Sequence, residues 1–109
     1  MDIADRLARA LAAHKPRTIR MMGSLCFMVN GNMALGTYKG GLMARVGKEG
    51  HAAALEMDGA REMVMKDKVM EGFILVDADA VDREEDLMAW VRLALAYNKT
   101  LPPKAEKGR

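Results

Sequence analysis

Scarcity sets the first limits on this chain. One cysteine, Cys26, excludes an internal disulfide and any cysteine-cluster metal site, as expected of a protein kept in a reducing cytoplasm. Only two histidines occur, His14 and His51, and their separation gives no ligand-spaced pair. Aromatic residues make up 5% of the sequence, so large rings cannot fill most of a core. Three prolines, at positions 16, 102 and 103, leave the interior free of that breaker. The residues before position 14 alternate charge with apolar groups, unlike the continuous apolar centre of a secretory signal. One uncharged run, residues 21–38, approaches the length of a membrane span, but Asn30, Gly31 and Asn32 sit at its middle and would leave a turn in hydrocarbon. We therefore expect no membrane association.

What is present is a globular balance, 50% apolar and 29% charged over 109 residues, enough for one domain. Eleven methionines imply an interior, or an interface, of flexible thioethers. The formal charge of +2 is a tail effect: from Lys99 onward four basic residues face one acid, which leaves 13 basic against 14 acidic residues before it. Such a charge gives no argument for nucleic acid.

Periodicity supplies the elements. Ile3, Leu7, Ala10, Leu11 and His14 recur at helical spacing, and Pro16 ends that helix. Alternation from Arg17 predicts a short strand, broken at Gly23 and Ser24. Asn30-Gly31 between two apolar runs predicts a type I′ hairpin, because both turn positions need positive φ. A second turn at Lys39-Gly40-Gly41 leads into a strand whose Leu42, Ala44 and Val46 share one face, with Met43 and Arg45 on the other. Residues 48–56 read as a helix weakened by Gly50 and closed by Asp58-Gly59. Residues 61–66 and 70–77 read as strands about a charged turn at Asp67. Asp82 as N-cap with Glu85 three residues on predicts a capping box for a last helix with core stripe Leu87, Trp90, Val91, Ala94 and Leu95. The sum is an α+β fold, a two-layer arrangement with a mainly antiparallel sheet and helices on one face, in the order α-β(3-4)-α-β(2)-α. Residues 1–103 make one domain and 104–109 a flexible basic tail.

Candidate chemistry is sparse. Cys26 lies in an apolar strand with no cation beside it and reads as a packed thiol. His14 reads as a solvated helix end and His51 as a helix-surface residue. Asp77, Asp79 and Asp82 alternate like a calcium loop but lack its central Gly and terminal Glu, so turn and capping roles suffice. The glycines at 23, 31, 36, 40, 41, 47 and 50 fit no phosphate loop. No catalytic residue, cofactor site or metal site is assigned, and an enzyme is not expected. Arg45 sits mid-strand between apolar neighbours, either on a solvated face or against a partner. With Met28, Met43 and Arg20 it forms the candidate partner-binding set. A second possibility is direct nucleic-acid binding through Arg6, Arg9, Lys15, Arg17, Arg20 and the basic tail; a third is chemistry on a small molecule at Cys26 or the acids of residues 77–86.

The run from Arg20 to Gly36, RMMGSLCFMVNGNMALG, followed by Gly41-Leu-Met-Ala-Arg-Val-Gly47, resembles the N-terminal domain of the TfoX/Sxy competence-regulator family. So do Met70-Glu-Gly-Phe-Ile-Leu-Val-Asp77 and Leu87-Met-Ala-Trp-Val-Arg92, and the similarity spans residues 17–103. The family's M-F-G-G segment stands here as Met21-Met22-Gly23-Ser24, with Phe and the second Gly replaced. The resemblance implies a secretion-chaperone-like fold and a regulatory, non-catalytic role through a protein partner, in the transcription of competence-type genes. It also implies that nucleic acid is engaged indirectly if at all. Fuller family members carry a second, C-terminal domain and are linked to the cyclic-AMP receptor protein; this sequence ends where that domain would begin. Strands apolar on both faces point to a homodimer through sheet left uncovered by the helices.

Overall fold

A computed structural model describes residues 1–21 and 23–105. Helix α1 (Ile3–Leu11) starts at Asp2, whose carboxylate accepts the Asp5 N–H at 2.9 Å, and continues as a 3-10 turn, Ala12–His14. Six strands follow: β1 (Arg17–Met21), β2 (Ser24–Val29), β3 (Asn32–Tyr38), β4 (Gly41–Arg45), β5 (Ala60–Met65) and β6 (Lys68–Val76). Helix α2 (His51–Leu55) links β4 to β5, and α3 (Glu84–Asn98) closes the chain after a 3-10 turn, Ala78–Val81.

All pairings are antiparallel, in the order β1-β2-β3-β4-β6-β5. The first four strands form a meander. The α2 connection then carries the chain past one strand position, which β6 fills by turning back from β5. Asn30 (φ 54°) and Gly31 (φ 78°) both take positive φ, as a type I′ turn requires. Lys66 and Asp67 do the same without glycine at the β5–β6 turn.

The helices lie on one face, where Leu7, Leu11, Leu87, Trp90, Val91 and Ala94 pack with Phe27, Val29, Leu35, Leu42, Ala44, Ile74 and Val76 in one core. The α+β, two-layer antiparallel expectation thus holds. Leu95 is only half-buried at its margin.

Three local readings need correction. Residues 48–50 do not join α2, because Gly47 turns the chain at φ +84° and the helix begins at His51. Asp82 is not the N-cap of α3 and there is no capping box. Asp82 is still in helical geometry at the end of the preceding turn, so Arg83 takes the extended cap position and the Glu85 carboxylate pairs with the Arg83 side chain. Nor is Lys104 part of a free tail: its N–H donates to the Asn30 carbonyl at 2.9 Å, while the Asn32 amide donates to the Pro102 carbonyl at 3.0 Å. Residues 106–109 of the expected tail, and Met22 of the family-like segment, lie outside the described residues.

Candidate functional site: an open sheet face and its Arg45 end

The period of two along each strand sends alternate side chains to the face without helices. Register identifies them. Ile19 stands opposite Cys26, Met28 opposite Met33, Met43 opposite Leu75, and Arg45 opposite Phe73. Cys26, Met43 and Leu75 form a second, smaller cluster, ringed by the half-buried Met28, Met33, Tyr38, Met63 and Phe73. Ile19 and Met21 on the edge strand β1 are 39% and 51% exposed. The centre of the face is shielded although no helix covers it, because long thioether side chains fold over small neighbours. Gly36 shows how: a Cβ there would lie 3.3 Å from the Met43 terminal methyl, which occupies the space a side chain would take.

Charges stand at the margins. Arg17, opposite Met28, marks the β1 edge, and Arg61, opposite Leu75 and paired with Asp77 at 2.9 Å, marks the β5 edge. Arg45 ends β4 half-buried, its guanidinium carbon 5.4 Å from the Phe73 ring centre and 5.6 Å from that of Tyr97. It is therefore not on a simply solvated face: it lies over two rings at cation–π distance, and no ion pair among the described residues includes it. Of the four candidate partner residues, Met28, Met43 and Arg45 share this face. Arg20 pairs with Leu25 and so belongs to the opposite one.

The other candidate groups are placed as follows. Cys26 is 1% exposed, and burial pushes its thiol above the ordinary range, which keeps it protonated and unreactive at neutral pH. Among the acids, Asp77 pairs with Arg61, Glu84 with Arg6 at 3.4 Å, and Asp86 with Arg83 at 3.7 Å. The basic residues considered for nucleic acid are divided, since Arg17 and Arg20 emerge on opposite faces of β1 and Arg6 is held by Glu84 and the Asp82 carbonyl. His14 is exposed at its helix end. His51 is not a surface residue. It is buried, its Nδ1 accepts the Gly72 N–H at 2.9 Å, and its Nε2 lies 3.3 Å from the Glu62 carboxylate.

Sequence reasoning missed the neighbourhood of Arg45. Tyr97 comes from α3, Gly47 from the loop after β4 and Gly72 from the middle of β6, so no local pattern joins them; the one available signal was a glycine inside the β6 strand. No helix among the described residues is long and apolar enough to cross a membrane.

No curated protein and no solved structure matches this chain. The family model of the TfoX N-terminal domain matches residues 9–97, which takes in every strand and nearly all of α3. With most of its length and all six strands inside that match, the chain belongs to the TfoX N-terminal domain family.

Proposed function

We propose that this chain is a non-catalytic regulatory module of the TfoX N-terminal type that works through protein contacts, its first partner being a second copy of itself across the open sheet face. The observation that carries the reading is the methionine-rich apolar face with charged margins, the layout of an interface centre and rim. Six strands at about 4.8 Å spacing and about 3.3 Å rise per residue give the face a projected area on the order of 400 Å², within the size range of the largest, often functional, apolar patch of a monomer. A two-fold axis needs only one such patch, and unbranched thioethers interdigitate without a fixed shape. The area per partner is small against a standard interface, so the association is reversible and concentration dependent. The process we assign it to is transcriptional regulation of the competence type, through a protein partner and with nucleic acid engaged only indirectly.

The test is a methyl NMR spectrum of the methionines over a concentration series. The methyls of Met28, Met33, Met43 and Met63 are expected to shift with concentration, while those of Met57 and Met88, which pack on the helix side, stay fixed. Shifts confined to the helix side, or none at all, would overturn the self-association.

A further inference from the structure

Arg45 has an unusual setting for a half-buried cation. Phe73, its neighbour on β6, and Tyr97, from α3, flank the guanidinium, and none of the ion pairs among the described residues includes it. The guanidinium lies over both rings at cation–π distance, and none of the hydrogen bonds among the described residues takes up its N–H groups, which form the planar fork that matches a carboxylate. A cleft of about 710 Å³ opens beside it, within the size range of small-molecule sites. Its walls include Val46, Leu93 and Ala96, with Lys48 and Thr100 as further donors.

Glycine makes the cleft possible. A Cβ on Gly47 would stand 2.5 Å from the Tyr97 ring, and one on Gly72 would stand 3.1 Å from the Gly47 carbonyl carbon. A side chain at Gly47 would displace the Tyr97 ring from beside Arg45, and one at Gly72 would crowd the Gly47 backbone. The lining also decides the charge of the occupant. Glu49 and Glu71 balance Arg45 and Lys48, so the lining has no surplus positive charge to hold a dianion, and a single carboxylate is the anion that the Arg45 fork matches.

We propose that this cleft binds a small monocarboxylate with an apolar or aromatic body, its carboxylate on the Arg45 fork and its body against Phe73, Tyr97 and Leu93. The site lies at the end of the open face and does not depend on self-association. The experiment is an amide NMR titration of the full chain with phenylacetate, with inorganic phosphate and 2-phenylethanol as comparisons, repeated on Arg45→Gln and Arg45→Lys. Phenylacetate is expected to give saturable shifts at Gly47, Gly72 and Tyr97 in the millimolar range, and the other two probes to bind at least about tenfold more weakly. Arg45→Gln is expected to lose about tenfold, and Arg45→Lys most of that, since an ammonium keeps the charge without the fork. Equal binding of 2-phenylethanol would leave only an apolar groove, equal binding of phosphate only a charge, and either result overturns the proposal. So does unchanged phenylacetate binding in Arg45→Gln, or no saturable shift in the unmodified protein. Should a variant fail to fold, the selectivity among the three probes decides.

Discussion

The main chain of Lys104 lies directly on Gly31: a Cβ at Gly31 would collide with the Lys104 carbonyl, while the Lys104 N–H bonds the neighbouring Asn30 carbonyl. The β2–β3 turn and the segment after α3 are thus one structural unit. Asn98 strengthens it by donating from its buried amide to the Val29 carbonyl at 3.1 Å.

Gly31 answers to two demands, a positive φ and the missing Cβ, and Gly40 to only the first, since nothing lies within 4 Å of a Cβ there. Gly31→Ala is therefore expected to cost about 2 to 3 kcal/mol and Gly40→Ala about 1 kcal/mol. Thermal unfolding of the two variants checks this, and equal losses would remove the Lys104 contact from the account.

His51→Ala is expected to destabilise by about 1 to 3 kcal/mol, because it leaves the Gly72 N–H without its acceptor in a buried place. His51→Asn, which restores a short acceptor, is expected to recover part of the loss. Denaturant unfolding would distinguish this from a surface histidine, for which both substitutions are near neutral.

Cys26 is expected to resist alkylation in the folded protein and to react at the unfolded rate only in denaturant. Because burial raises its folded pKa, the native state holds the thiol proton more tightly than the unfolded chain does. Its contribution to stability is therefore fully present at neutral pH and is lost as pH rises through the folded value. Cys26→Ala should remove that alkaline component at a cost of about 1 kcal/mol. Rapid labelling of the native protein at neutral pH would contradict this placement.

The legible parts of the fold were those that local chemistry dictates. Asn30-Gly31 announced its turn because only a few residue types take positive φ, and the 3.6-residue stripe of Leu87, Trp90, Val91 and Ala94 announced α3. Alternation along β2 and β4 announced a sheet apolar on both sides, with Met28 on one face of its strand and Met43 on one face of its own; that these are the face opposite the helices is decided by packing that alternation does not encode. What stayed hidden was decided by distant partners. The slot of β6 between β4 and β5 is a pairing choice between strands far apart in sequence. His51 reads as a polar residue in an alanine-rich helix until Gly72 is brought to its ring. The Asp82 signature was overridden when the preceding turn drew Asp82 into helical geometry and left Arg83 at the cap.

Sedimentation equilibrium over a micromolar concentration series, on the unmodified protein and on Ile19→Lys, tests the central claim that the open sheet face joins two copies. Ile19 is exposed on the edge strand, so a lysine there charges the patch without disturbing the core. The unmodified chain is expected to show a mass rising from 12.0 kDa toward twice that value, and the variant a mass near the monomer at the same concentrations. A mass fixed at 12.0 kDa in the unmodified chain, or a rise of equal size in the variant, would contradict it.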